Sequence, residues 1–207
     1  MHGYHFTYCG ATNLRLARHN SLLHSILQAL RSYGYSTRTT NLGIHTNTKR
    51  QLDAVITNYA LNPRNIGLDA VVGCPMADAH VMPSATSPTA FTDRKEASKR
   101  VKHGPACEAA DHDFWVAAGT TFGGLGDEIL DKLRILTASA RTQEITAGGT
   151  GRIADGMLRY WILKASFSIQ ASTANMALTL SRSPEAAAPP KPTDDSTLHS
   201  LDADPDA

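Results

Sequence analysis

The 207-residue sequence lacks any apolar run long enough to cross a membrane, because no stretch approaches about 18 uninterrupted apolar residues. Its first residues lack a charged segment followed by an apolar one, so we expect no secretory signal. Cysteine is scarce: Cys9, Cys74 and Cys107 are odd in number and widely spaced, which argues against a disulfide framework. These absences favour an intracellular protein in a reducing compartment, without a membrane partner.

The net charge of +1 conceals an uneven distribution. Residues 184–207 hold six acidic side chains against the single Lys191, a net charge of −5, which leaves +6 on the other 183 residues. A mildly basic body is compatible with a polyanionic partner such as nucleic acid. The acidic segment also contains five prolines and too little apolar mass to offset its ordering entropy, so we predict that it is disordered.

Hydrophobic periodicity predicts an element order of α-β-β-loop-α-β-α-α. The predicted helices cover 16–33, 93–110, a segment from 127 and roughly 152–181, and the predicted strands cover 52–57, 66–72 and 113–118. We expect residues 35–50 to form a loop or a poor strand, and residues 75–92, with three prolines, to form a loop. Such an order favours an α/β (α+β) fold with a compact mixed sheet flanked by helices.

Four regions follow from this organisation. The predicted regions are an N-terminal segment 1–15, a main domain 16–140, a C-terminal helical extension 141–183 and the tail 184–207. His5 and Cys9 have the spacing of half a zinc knuckle, but no matching pair is present, so the N-terminal segment reads as an eroded knuckle.

Two acidic residues occupy apolar strand segments, where an unpaired carboxylate is costly. Alternation places Asp53 on one face, opposite Leu52, Ala54 and Ile56, and places Asp69 on the face of Val71. If the two strands are neighbours, both carboxylates can point to one side and bind Mg²⁺. The alternative is that each Asp simply ends a strand at the surface or caps a turn.

A second candidate group lies on the charged helix. Glu96, Lys99 and either Lys102 or His103 are three or four residues apart and share a helix face. One lysine could orient a water or stabilise charge on a phosphate. The alternative is a solvated helix face.

Candidate nucleic-acid contacts lie near the start of the first predicted helix and along the charged predicted helix 93–110. Arg18-His19-Asn20 could contact phosphate, and His19 could also act as an acid, a base or an indirect ligand. Arg94, Lys95 and Arg100 add positive charge. The alternative for the first group is helix capping beside a basic exposed face.

A glycine-rich phrase, Thr121 to Gly126, precedes the helix that Asp127 and Glu128 open. It lacks the Gly-Lys-Ser/Thr of a P-loop, and Asp127 would repel an anion, so we predict a packing turn.

The order of these motifs resembles the restriction-like endonuclease domain that accompanies the reverse transcriptase of site-specific non-LTR retrotransposons, and related retrotransposon-derived reading frames. That family has Arg-His-Asn/Asp at the start of a helix, Pro-Asp and then a second Asp on successive strands, a helix with Glu-x-x-Lys-x-x-Lys-Tyr, and Thr-Phe-Gly-Gly-Leu-Gly after an apolar strand. The matching residues here are Arg18-His19-Asn20, Leu52-Asp53, Leu68-Asp69, Glu96 to His103 and Thr121 to Gly126. The resemblance covers roughly residues 5–180.

The resemblance implies a restriction-endonuclease-like fold with a metal-dependent PD-(D/E)xK site that cuts one DNA strand at a time. By position, Asp53 and Asp69 would bind Mg²⁺ or Mn²⁺, with Glu96 in the same catalytic set. The usual strand lysine is replaced by Val71, so the helix would supply Lys99 or Lys102 instead. Two further departures are Leu52 in place of Pro and His103 in place of Tyr.

The expected function is therefore a metal-dependent DNA endonuclease of retrotransposon origin, located in the nucleus. DNA is the expected partner, with RNA or a reverse transcriptase as further candidates. Because the motifs are altered, the alternative is a catalytically inactive nucleic-acid-binding remnant. A third hypothesis is a protein-interaction domain with neither activity.

Overall fold

A computed structural model describes residues 12–39, 52–58 and 62–181 of the chain. The helices are α1 (Thr12–Ser32), α2 (Asp78–Thr86), α3 (Ala90–Ala109), α4 (Asp127–Thr146) and α5 (Arg152–Ser181). The strands are β1 (Ser36–Thr39), β2 (Ala54–Asn58), β3 (Asn62–Gly73) and β4 (His112–Thr120). The eroded-knuckle residues His5 and Cys9 and the predicted disordered tail lie outside the described residues.

The four strands form one mixed sheet in the order β1-β2-β3-β4. Antiparallel pairing joins β1 to β2 and β2 to β3, whereas β4 runs parallel to β3. A parallel neighbour requires a long crossover, which α2 and α3 provide. The predicted α/β fold with a mixed sheet flanked by helices is confirmed.

Helices cover both faces of this sheet. The larger core joins one sheet face to α1, α4 and α5, and it includes Leu22, Ile26, Leu30, Leu68, Trp115, Ile129, Leu133 and Ile169. The smaller core joins the other face to α3 and includes Leu52, Val71, Cys107, Phe114 and Val116. Strand β4 is buried from Phe114 to Thr120 because both of its faces are covered.

Periodicity predicted the packing face of α1 correctly. Its apolar stripe, from Leu22 to Leu30, is buried. Gly34 has a φ of +86°, a left-handed conformation that glycine adopts at little cost, and it follows the end of α1 as predicted.

The predicted loop at 75–92 is wrong, because the segment contains α2 and the start of α3. Pro83 lies inside α2, where its missing N–H lowers helix propensity. Tertiary packing compensates: the His80 ring on α2 contacts the edge of Phe91 on α3, with 5.1 Å between centroids. Propensity within the segment did not reveal this contact.

Proline within the predicted helix 93–110 could kink or break it, but α3 continues through Pro105 to Ala109. Proline removes the hydrogen bond to the carbonyl of Val101. Both residues lie on the exposed side of α3, where water can bind that carbonyl.

Two further observations concern the described residues. None of their helices combines the length and the apolar character needed to cross a membrane. Cys74 and Cys107 are buried free thiols, and burial followed by the charge of Asp69 raises the pKa of Cys107 to about 11.

We predict that Gly67→Ala destabilises the fold by about 1–3 kcal/mol through overpacking. A Cβ at Gly67 would lie 2.6 Å from Leu52 Cδ1 and 3.1 Å from Cys107 Sγ. Urea denaturation would measure the loss. Gly104→Ala on α3 is the matched control: its Cβ would meet only Arg100 Cγ, at 3.8 Å, so we expect a gain of up to about 1 kcal/mol. Equal effects of the two substitutions would contradict this account of the β3 packing.

Candidate active site

The β2–β3 pairing brings Asp53 and Asp69 together. Ala54 pairs with Leu68, and the Asp53 N–H donates to the Leu68 carbonyl at 3.1 Å, so Asp53 stands opposite Asp69. The two carboxyl groups are close enough for each to shift the pKa of the other. Asp53 Oδ2 also accepts a hydrogen bond from the Ala70 N–H at 2.6 Å. The two acids converge as expected for neighbouring strands.

The detail around Asp53 corrects the sequence-based prediction. Strand β2 begins at Ala54, so Asp53 lies in a bend before the strand rather than within it. Leu52 packs with Cys107 on the α3 side, whereas Ala54 and Ile56 belong to the opposite core. Strict alternation fails here because the Asp53 side chain takes a backbone N–H of β3 as its partner.

Helix α1 contributes His19 to the acids. His19 Nε2 lies 2.9 Å from Asp53 Oδ2, and Nδ1 lies 3.1 Å from Asn20 Oδ1. Burial lowers the pKa of His19, but the hydrogen bond and charge of Asp53 outweigh it, and the net shift is upward. The shift favours the imidazolium form, in which both ring nitrogens donate.

Helix α3 contributes Lys99 and His103, four residues apart on its buried face. Lys99 Nζ lies 3.2 Å from Asp69 Oδ2, and His103 Nε2 lies 3.5 Å from the same oxygen. Lys99 is only 8% exposed, which excludes the solvated-face alternative for this residue. Of the two candidate lysines, Lys99 is the one paired with Asp69; Lys102 is half-buried on the same helix.

The sequence did not specify that His103 lies beside the two acids. Its spacing from Lys99 was the available signal, since residues four apart share a helix face. The resemblance instead associated this position with packing beside Lys102. Contact with the Phe114 ring, 5.9 Å between centroids, holds His103 over the sheet.

Asp69 is the most perturbed acid of this group. Burial raises its pKa, the neighbouring carboxylate of Asp53 raises it further, and Lys99 opposes the shift; the net value is about 7. Asp53 is shifted the other way, because hydrogen bonds from His19 and Asp69 outweigh its burial and lower its pKa. As the pH falls to about 7, the pair therefore takes up one proton, and Asp69 holds it.

The carboxyl group of Glu96 packs against Gly126, at the start of α4. Burial and then the charge of Glu128 raise the pKa of Glu96 to about 7. The described contacts of Glu96 are with the start of α4 rather than with Asp53 or Asp69, and its membership of the catalytic set stays a prediction.

The glycine-rich phrase forms a packing turn, as predicted. Gly123 has a φ of +87°, and the Gly124 N–H donates to Thr120 Oγ1 at 2.9 Å. Gly126 leaves the space that the Glu96 carboxyl group occupies. The glycine-rich segment 121–126 and the charged segment 96–103 therefore pack against each other.

The predicted nucleic-acid contacts differ in exposure. Arg18 is only 3% exposed, so its guanidinium is not presented at the surface as direct phosphate contact requires. Asn20, Arg94 and Arg100 are exposed, and Lys95 is half-buried.

Arg100 also lines a cleft of about 450 Å³, together with Arg64 and Lys132. The cations there are already engaged. Arg100 pairs with Glu128 at 2.5 Å, Arg64 pairs with Asp111 at 3.0 Å, and Lys132 Nζ lies 5.2 Å from the Trp115 ring centroid. The cleft is therefore mixed in charge rather than strongly basic.

The donor set at the acids suits a hard cation. Within the described ranges, no group of three or more His, Cys, Asp or Glu side chains is arranged to hold a metal. Asp53 and Asp69 alone provide two converging carboxyl groups, and Mg²⁺ is commonly bound by one or two carboxylates plus water and substrate phosphate. A divalent cation bound by Asp53 and Asp69 would replace the proton that Asp69 carries below about pH 7.

Comparison with known proteins identifies no relative: no protein-family model matches the sequence, and no curated protein is significantly similar to it.

We predict that Asp69→Asn is more stable than the wild type at pH 8 and that its advantage shrinks towards pH 5. Because the pKa of Asp69 is raised to about 7, the folded state gains stability from its proton at low pH and loses it as pH rises to about 7. The difference between the proteins should change by on the order of 2–3 kcal/mol across this range.

Urea denaturation at several pH values would measure this change. Asp131→Asn is the control, because Asp131 is 64% exposed and pairs with Arg134 on the surface. Its stability curve should run parallel to that of the wild type. Parallel curves for Asp69→Asn as well would refute the shared proton.

Proposed function

We propose that this protein is a Mg²⁺- or Mn²⁺-dependent DNA endonuclease with a restriction-endonuclease-like PD-(D/E)xK site. One observation carries the proposal: a buried lysine, Lys99, lies 3.2 Å from Asp69, which stands opposite Asp53 on the neighbouring strand segment. Two acids and an amine from three separate segments thus meet at one point. The order of motifs along the chain supports a retrotransposon origin and a nuclear site of action.

Asp53 and Asp69 would hold the metal ion, which would act as a Lewis acid on the phosphate and lower the pKa of a bound water. Metal binding requires the proton on Asp69 to leave, since ligand carboxylates bind in their ionised form. Lys99 would then balance the charge of Asp69 from the α3 side. The same ammonium group is positioned to stabilise charge on the phosphate as the P–O bond breaks.

His19 has a positioning role in this proposal. Its imidazolium donates to Asp53, keeps that carboxylate ionised and is itself oriented by Asn20. The Asp53 side chain is 22% exposed and the Asp69 side chain 5% exposed, so substrate would approach from the Asp53 and His19 side. The exposed Asn20, at the beginning of α1, lies on that approach.

A second candidate is a catalytically inactive nucleic-acid-binding protein. The observation that favours it is the absence, in the described part of the chain, of a three-residue metal-binding group. In that case Lys99 and His103 would permanently neutralise Asp69 and only stabilise the fold. Binding to DNA would then be salt-sensitive and independent of divalent cations.

We predict that the purified protein nicks supercoiled plasmid DNA with Mn²⁺ or Mg²⁺. Asp69→Asn should abolish nicking, and Lys99→Met should reduce it by on the order of 10²–10³-fold, because each removes charge stabilisation of the transition state. Agarose-gel analysis of nicked circles, with circular dichroism to confirm folding, would measure both effects.

Lys102→Met is the matched control, three residues along the same helix, and we expect it to change the rate only a few-fold. Nicking that persists in folded Asp69→Asn contradicts the nuclease. Metal-independent DNA binding without cleavage would instead support the inactive alternative.

We further predict that Mg²⁺ affinity increases with pH. Below about pH 7 the cation competes with one proton on Asp69. The dissociation constant for Mg²⁺ should therefore increase roughly tenfold for each unit by which the pH falls. Above that value the affinity should level off. Isothermal titration calorimetry in two buffers of different ionisation enthalpy would report the released proton, and a pH-independent affinity would contradict the site.

A further inference from the structure

Helix α5 carries two apolar stripes, and only one of them faces the rest of the described structure. The inner stripe packs against α1 and α4, with Ala154, Ala165, Ile169 and Met176 at most 2% exposed. Hydrogen bonds between serines fix this side to α1, as Ser25 donates to Ser168 at 2.9 Å. The inner stripe therefore accounts for the attachment of α5 to its own chain.

The second stripe, the outer seam, faces solvent. Its members are Ile153, Gly156, Tyr160, Leu163, Phe167 and Ala174. The four large side chains Ile153, Tyr160, Leu163 and Phe167 are 71%, 55%, 56% and 65% exposed. From Ile153 to Phe167 successive members, Gly156 included, are three or four residues apart, and Ile153, Tyr160, Phe167 and Ala174 repeat every seven, which is the period of helices that pair along a seam.

Gly156 gives a second indication. It lies within a helix, where glycine costs about 1 kcal/mol relative to alanine. A Cβ at this position would meet nothing within 4 Å, so packing in its own chain does not require glycine. A small residue on an exposed seam does allow the backbone of another helix to approach closely.

The apolar area of the seam is sufficient for a small interface. Large apolar side chains present on the order of 150–250 Å² each when fully exposed, so the observed exposures leave roughly 500 Å² of surface per copy. Two seams together approach the roughly 1,000 Å² that a specific interface needs, before polar flanks are counted.

We propose that the outer seam of α5 binds the outer seam of a second copy of this chain in antiparallel orientation, forming a twofold-symmetric dimer. Antiparallel pairing places large residues against smaller ones: Tyr160 meets Gln170, Phe167 meets Leu163, and Gly156 meets Ala174. Interdigitation of large and small side chains fills such a seam without voids.

Charge also selects the antiparallel orientation. All four charged residues of α5, namely Arg152, Asp155, Arg159 and Lys164, lie in its first half, and residues 165–181 carry none. Parallel pairing would place the basic halves side by side, whereas antiparallel pairing places Arg152, Asp155 and Arg159 against the uncharged half of the other copy and leaves only Lys164 near the twofold axis. The inference is independent of the proposed nuclease function.

Analytical ultracentrifugation of the full chain would test the dimer. We expect a mass near twice 22.2 kDa at micromolar concentration. Phe167→Glu or Leu163→Glu should convert the protein to a monomer with an unchanged circular dichroism spectrum, because each places a charge in the seam. Ile135→Glu is the matched control, since Ile135 is 63% exposed on α4, and it should leave the mass unchanged.

Cross-linking would test the orientation, in a Cys9→Ser background because Cys74 and Cys107 are buried. An oxidised mixture of Tyr160→Cys and Gln170→Cys proteins should form a 160–170 disulfide, detectable by mass spectrometry. Self-linked Tyr160→Cys as the main product would overturn the antiparallel arrangement. A protein that stays monomeric at all concentrations, both in solution and in the presence of anionic vesicles, would overturn the proposed dimer interface.

Discussion

The close approach of the Asp53 and Asp69 carboxyl groups determines the geometry of the rest of the candidate site. Asp53 and Asp69 face each other across β2 and β3, and in a buried place two such groups do not both ionise without a compensating cation. Their surroundings shift the pKa values of the two carboxyl groups in opposite directions. His19 keeps Asp53 charged, whereas Asp69 retains a proton near neutral pH despite the adjacent Lys99. The same imbalance makes the pair suitable for a divalent cation.

The fold permits this meeting because the acids lie where both helical layers can reach them. Helix α1 packs on one face of the sheet and α3 on the other, yet His19 and Lys99 approach neighbouring carboxyl groups. The bend at Asp53 is responsible. Since β2 begins one residue later, the Asp53 side chain can turn to the Ala70 N–H and stand beside Asp69. A regular strand would have held it to one face.

Several features were predictable from local pattern alone. The stripe of α1, the helix that begins at Asp127 and the extent of α5 follow from periodicity and helix-start signals, which depend only on neighbouring residues. The convergence of Asp53 and Asp69 was predictable once their strands were assumed to pair. Helix α2 was missed because its proline content argues against a helix, whereas packing on α3, which includes the contact of His80 with Phe91, lies outside what local propensity describes. The contact of Glu96 with Gly126 was not predicted for a related reason: helix spacing gives a shared face but not the element that covers it.

Sequence patterns were enough to predict the mixed α/β character, the basic body, and two acids and two lysines at suggestive spacing. The packing of distant elements, by contrast, placed Lys99 rather than Lys102 beside Asp69, brought His103 to the same carboxyl group, and set Glu96 against Gly126. It also decided which of the two apolar stripes of α5 is covered. The physical reason is that local patterns fix which residues share a face, whereas the packing of distant elements fixes what that face touches.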